Sequence, residues 1–277
     1  MENRTAFMER YGTTALVTGA SSGIGRAFAA QLAEAGFQLI LVARRRVLLD
    51  ELARELRLEY GTRCLVIAAD LTAPAAVEEL CTQIEWEGWC VDLLVNNAGV
   101  GRYGHFEGSD PQADRSTLIL NCSVPLELMQ RLLPGMRERR HGGVICVGSL
   151  LADLHAPYFA TYSASKAFIS TLAQSLQAEL AGSGVDLLLL VPGLTRTEFF
   201  ASNGISREFP FPASTPDRVA RLALRALGRR NRITQGWMNR IFRLSYSLMP
   251  GGMSSALNRL LLAPRPDTDV DPNGEQS

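Results

Sequence analysis

The chain has 277 residues, 47% of them apolar and 20% charged, which suits one large α/β domain or two small ones and excludes global disorder. Its 28 basic and 28 acidic residues cancel, which argues against a nucleic-acid partner gripped through phosphates. The five cysteines, Cys64, Cys81, Cys90, Cys122 and Cys146, are odd in number and form no C-x-x-C pair, so neither a disulfide framework nor a metal site is expected.

The first dozen residues carry Glu2, Arg4, Glu9 and Arg10 and no apolar run of the secretory kind. No uninterrupted apolar stretch approaches the ~20 residues of a membrane span. Buried thiols in a reducing compartment and a cytoplasmic location are the expectation. Short apolar runs then alternate with longer helical patterns, which predicts βαβ units and a parallel sheet.

The first predicted strand, Thr14–Thr18, runs straight into Gly19-Ala20-Ser21-Ser22-Gly23-Ile24-Gly25 and a helix. Glycines at such a turn let the backbone approach a pyrophosphate, and the helix start offers N–H groups to it. The second strand, Gln38–Ala43, is followed by Arg44, Arg45 and Arg46. An acidic residue there would bind both ribose hydroxyls of NAD; guanidinium groups instead can clamp a 2′-phosphate, which favours NADP(H). Arg45 and Arg46 also read well as a solvated helix start, and Arg44 less so. Leu48, Leu49, Leu52 and Leu56 make one helical stripe.

Strands follow at Cys64–Ala68, Leu93–Asn96, 144–148 and 186–191. Asn97 and Ser149 come just after two of these, where open α/β sheets bind ligands. The next helix carries Tyr162 and Lys166, and a stripe of Phe168, Leu172, Leu176 and Leu180 that reads as core. Of the 28 basic residues 27 are arginine; Lys166 is the single lysine. Spaced i, i+4, the phenol and ammonium share a helix face, and the cation is expected to lower the phenol's pKa. This pair is the candidate for proton transfer; the alternative is one surface lysine in an arginine-biased chain.

A helix is predicted at 216–228, and 231–263 reads as a helical extension, with segments 237–249 and 254–262 around Pro250-Gly251-Gly252. A glycine-rich closing strand is not evident. Residues 264–277 read as a disordered tail. The division expected is therefore 1–230 as one Rossmann-type domain, a doubly wound parallel sheet with helices on both faces, then the 231–263 extension and the tail.

The glycine turn, Asn96-Asn97-Ala98-Gly99, Ser149, Tyr162-x-x-x-Lys166 and Pro192-Gly193-Leu194-Thr195-Arg196-Thr197, in this order, resemble the short-chain dehydrogenase/reductase family. The resemblance implies an NADP(H)-dependent oxidoreductase in which Tyr162 is the acid/base and Lys166 tunes it and holds the nicotinamide ribose. Ser149 would polarise the substrate oxygen, and Asn121 would hold a water that links the lysine to solvent. It implies cofactor contacts from Gly19, Ser21, Ser22, Gly23, Ile24, Gly25, Arg44, Asp70, Leu71, Asn97, Ala98, Gly99, Tyr162, Lys166, Pro192, Gly193, Thr195 and Thr197. Thr195 departs from the Val or Ile of many relatives.

Cleft walls are expected from Val100, Tyr103, Phe106, Leu150, Leu151, Leu154, Pro157, Phe199, Phe200, Phe209 and Phe211, with His155 and Arg102 as polar members. Such a lining suits a hydrophobic ketone or aldehyde, as in a carbonyl reductase. The apolar extension reads as a cap over the cleft or a contact in a homodimer, with an interfacial membrane helix as the alternative. The rival functions are a non-catalytic dinucleotide sensor and a membrane-docked lipid-binding protein.

Overall fold

The computed structural model describes residues 4–154, 156–201 and 213–236, together with Asn239, Ile241, Tyr246 and Leu262. Helices and strands alternate. The first half runs α1 Arg4–Tyr11, β1 Thr14–Thr18, α2 Gly23–Glu34, β2 Gln38–Ala43, α3 Arg46–Tyr60, β3 Cys64–Ala68, α4 Ala76–Trp86 and β4 Leu93–Asn96. The second runs α5 Pro111–Leu118, a π-helical segment Ile119–Ser123, α6 Val124–Glu138, β5 Gly142–Val147, α7 Leu151–Leu154, α8 Ala160–Glu179, β6 Val185–Val191, α9 Glu198–Ala201, α10 Pro216–Ala226 and β7 Arg232–Thr234.

The strands form one sheet in the order β3-β2-β1-β4-β5-β6-β7, all pairings parallel. Its central strands are mostly apolar because both faces are covered. Leu16, Ile40, Leu94 and Val144 face α4, α6 and α8 through Leu80, Leu128, Met129 and Ile169. Their neighbours Ala15, Leu39, Leu93 and Ile145 face the opposite way, toward Phe28, Leu52, Val219 and Ala223 of α2, α3 and α10. Burying one such leucine or isoleucine contributes about 1.5–3 kcal/mol. An exposed pair such as Arg46–Asp50, 3.2 Å apart, contributes about 0–1 kcal/mol. The two-faced core therefore sets the architecture, and surface charge does not.

Several elements differ from expectation. β5 begins at Gly142, two residues early, because Gly142 and Gly143 carry no side chain to signal a strand yet pair with Val185 and Leu93. A short strand without glycine, β7, was not singled out: it pairs with Leu189–Val191 of β6, so the sheet continues past residue 230. Three residues, two of them polar, leave no pattern to read. α10 stops at Ala226, because Leu227 is extended and Gly228 turns the chain with φ +70°. On α8 the core stripe runs through Ile169, Ala173 and Leu180 with Leu172 and Leu176 packed against it as expected, and of the predicted stripe Phe168 alone is exposed, one residue's rotation away from Ile169. The predicted segments 237–249 and 254–262, His155, Phe209, Phe211 and the tail lie outside the described residues, apart from the four single positions named above. Among the described residues no helix is long and apolar enough to cross a membrane.

Candidate active site

At β1 the strand order reverses, since β2 and β4 flank it on opposite sides, and a crevice forms beyond the carboxyl ends of such strands. The glycine turn lies there. A β-carbon on Gly25 would sit 2.2 Å from the Gly19 carbonyl oxygen, so only glycine lets α2 close on the turn. Ser22 begins α2 in extended conformation and its side chain makes no capping bond. The first turn of this 12-residue helix therefore keeps its N–H groups and positive dipole end for an anion.

Asn97 holds the turn from β4, donating its side-chain amide to the carbonyls of Thr18 (2.9 Å) and Gly19 (3.3 Å). Thr18 Oγ1 accepts the backbone N–H groups of Asn97 and Ala98, each at 3.0 Å, and donates to the Val95 carbonyl. Thr18 was not singled out from sequence; its only signal is a hydroxyl at the end of an apolar strand. Gly23 packs against Thr197, where a β-carbon would lie 3.1 Å from Thr197 Cγ2. Thr195 donates its hydroxyl to the Gly193 carbonyl at 3.0 Å. Pro192 is buried and Ala98, Gly99 and Ile24 line the same edge.

The three arginines part company. Arg46 pairs with Asp50 along α3. Arg45 reaches the glycine turn, donating to Ser21 Oγ at 3.2 Å and to Glu198 at 2.9 Å. Of the two readings open for Arg45, a phosphate clamp or a solvated helix start, this position beside the glycine turn favours the first. Arg44 acts on Asp70: the backbone N–H and hydroxyl of Thr72 hold the Asp70 carboxyl below the ordinary range, and the Arg44 charge adds to this. Leu71 is buried in the core, which leaves its backbone for any ligand. An uncapped helix start, a glycine-rich turn and the Arg45 guanidinium beside it fit a phosphate-bearing dinucleotide.

Tyr162 and Lys166 stand on one face of α8, both buried, with Nζ 5.9 Å from the phenol ring centroid. Nζ donates to the Val147 carbonyl at 2.9 Å. Asn121 comes from the π-helical segment, whose widened turn brings its amide inward. It donates to the Val100 carbonyl (2.8 Å) and Ser165 Oγ (2.9 Å) and accepts the Val100 N–H (3.0 Å). Ser165, also unanticipated, passes the chain on to the Tyr162 carbonyl at 2.7 Å. Gly99 marks the convergence: a β-carbon there would lie 3.1 Å from both Asn121 Oδ1 and Lys166 Nζ. Thr18, Asn96, Asn121, Val147 and Lys166 border a cavity of about 10 Å³, roughly the room that one water needs.

Burial pushes the Tyr162 phenol up to about 12, and a side-chain hydrogen bond with Ser149 pulls the other way. Burial pulls the Lys166 ammonium down to about 8, opposed by the nearby Cys122 and Cys146 thiols. The net shift of the phenol is thus upward, against the expected lowering: desolvation by burial is its largest cause and the Ser149 hydrogen bond the opposing one.

Tyr162 is wedged between rings. Phe199 lies 5.1 Å from it and Phe159 6.2 Å, centroid to centroid, with Gly101 closing the gap: a β-carbon there would be 2.7 Å from Phe199 and 2.9 Å from Tyr162. Tyr103, Ala156, Phe159, Tyr162 and Leu262 form a buried cluster joined by Leu151, Tyr158 and Phe199. Tyr103 donates its hydroxyl to the Leu262 carbonyl at 2.7 Å, and Tyr246 donates to that of Leu154. Phe106 is exposed and Leu150 packs into the main core, so neither joins this wall.

Comparison with known proteins agrees with this geometry. The short chain dehydrogenase family profile matches residues 13–207. A very-long-chain 3-oxoacyl-CoA reductase of Podospora anserina is 36% identical over 206 residues, which are 73% of this chain and 60% of that protein's length. A 7beta-hydroxysteroid dehydrogenase structure superposes with TM-score 0.82 at 25% identity, covering 92% of this chain and 98% of the other. A short-chain dehydrogenase from Sphingobium yanoikuyae in complex with NADPH gives TM-score 0.76 at 29% identity, covering 91% and 98%.

Proposed function

The chain belongs to the short-chain dehydrogenase family, and from that premise we propose that it is an NADP(H)-dependent oxidoreductase that interconverts a hydrophobic ketone or aldehyde and its alcohol. The observation that carries this reading is the buried set on α8: Tyr162 hydrogen-bonded to Ser149, with Lys166 one turn away at the rim of the glycine-turn crevice. A non-catalytic dinucleotide sensor has no use for that set.

When bound, the dinucleotide supplies or accepts a hydride. The chain's residues do the rest. The glycine turn, the start of α2, Arg44 and Arg45 bind the phosphates. Lys166, Asn97, Thr195 and Thr197 hold the nicotinamide end. Ser149 and Tyr162 grip the substrate oxygen, where donors in a dry site contribute several kcal/mol. The phenol, raised above its ordinary value by burial, keeps its proton at neutral pH and donates it to an oxygen that gathers negative charge. Lys166, Asn121 and the small cavity between them offer the route by which that proton is replaced.

Support for NADP(H) over NAD(H) comes from Arg44 and Arg45 and from the NADPH complex of the Sphingobium relative. Support for a lipid-like substrate comes from the aromatic wall around Tyr162 and from the acyl-CoA and steroid relatives. Leu262 packs into that wall and Tyr246 bonds to the Leu154 carbonyl, which supports residues 231–263 as a cap on the cleft of a domain spanning 1–230 and β7. The five free thiols suit a reducing compartment. The apolar surface of Leu118 and Phe168 suits a homodimer contact. The test is a screen of NADPH oxidation across bulky ketones, long-chain 3-oxoacyl thioesters, steroids and small polar aldehydes. Turnover confined to the bulky apolar carbonyls supports the reading; turnover of small polar aldehydes alone, or of none with NADPH, removes it.

A further inference from the structure

Three segments distant in sequence meet over the glycine turn. Glu198, the first residue of α9, places a carboxylate oxygen 2.9 Å from Arg45 Nη2, and the same guanidinium nitrogen lies 3.2 Å from Ser21 Oγ. A side-chain hydrogen bond from Arg45, then its charge and a hydrogen bond with Ser22, hold the Glu198 carboxyl below its ordinary range. The preceding Thr197 rests against Gly23. A carboxylate thus sits on the guanidinium and hydroxyl groups that an incoming phosphate monoester would use.

We infer that Glu198 is a built-in competitor for the adenosine 2′-phosphate and sets how strongly this chain prefers NADP(H) to NAD(H). The inference rests on the NADP(H) reading above. Arg45 is engaged by Glu198 until a phosphate takes its place. The phosphate carries up to two charges and three acceptor oxygens against the carboxylate's one charge and two, so it wins that exchange. NAD(H) carries a hydroxyl at the same carbon, cannot displace the carboxylate, and leaves the bridge closed. Both side chains are about half exposed, at 46% and 62%, so the competition is modest. Relieving it is expected to change affinity roughly two- to fivefold, the scale of an exposed ion pair.

The experiment is titration of NADPH and NADH, followed by cofactor fluorescence, into wild type, Glu198→Gln, Arg45→Ala and the double variant. The expected result is that Glu198→Gln tightens NADPH roughly two- to fivefold, leaves NADH unchanged, and loses its effect when Arg45 is absent. Unchanged NADPH binding, equal tightening or weakening of both dinucleotides, or tightening that persists without Arg45 would each overturn the inference. Wild type that binds NADH more tightly than NADPH would instead remove the cofactor reading on which it stands.

Discussion

Replacing Lys166 with methionine changes how stability depends on pH, and the structure sets the size of the effect. Burial draws the ammonium from its ordinary 10.5 to about 8. At 1.36 kcal/mol per pH unit that shift amounts to roughly 3 kcal/mol. Below pH 8 the folded protein must bury a charge that the unfolded chain exposes, so the penalty is fully present there. Between pH 8 and 10.5 the unfolded chain holds a proton that the folded state has released, so wild-type stability rises with pH. Lys166→Met has no such group. The unfolding free energy of wild type minus that of the variant should therefore climb by roughly 3 kcal/mol from pH 7 to 10.5. At pH 7 the variant escapes the penalty but leaves the Val147 carbonyl without its 2.9 Å donor, a loss of about 1–3 kcal/mol. Its stability should then equal or exceed that of wild type. Urea unfolding of both proteins across this range is the assay. Because Lys166 is the only lysine, [¹³Cε]lysine labelling also gives one resonance whose titration reports the same value. A stability difference flat with pH, together with a resonance titrating near 10.5, would refute the reasoning.

Thr18→Val removes the acceptor of two backbone N–H groups and should lower unfolding free energy by about 1–3 kcal/mol per orphaned group, read from the urea midpoint, while NADPH binding weakens as the turn loosens. Arg44→Ala should weaken NADPH roughly tenfold or more and NADH little; titration of both dinucleotides checks this, and equal losses would place Arg44 elsewhere. Tyr103→Phe deletes the hydrogen bond to Leu262 and should raise KM for a bulky ketone severalfold, with kcat nearly unchanged. An unaltered KM would detach the C-terminal segment from the cleft.

Much of the fold was legible because strands buried on both faces are apolar without interruption. β1 to β4 stand where the pattern put them. Gly142, Gly143 and β7 escaped because a strand defined by backbone pairing alone leaves no side-chain signature. Tyr162 and Lys166 could be placed on one face from spacing alone. Their electrostatics could not be, since desolvation depends on what the tertiary fold piles above them. The same limit hid Thr18, Ser165 and Glu198, which act through partners 79, 44 and 153 residues away. Arg45 stayed open between two readings for a related reason: a cation at a helix start looks solvated until a carboxylate from a distant loop is seen beside it.

The central claim is that the Tyr162 hydroxyl delivers the proton while the rest of the crevice binds the dinucleotide. Tyr162→Phe tests it most directly, with NADPH affinity and single-turnover reduction of the best ketone measured on the same sample. The account predicts cofactor binding within about threefold of wild type and a rate lower by roughly 10²–10⁴. A variant that still turns over at the wild-type rate would contradict it.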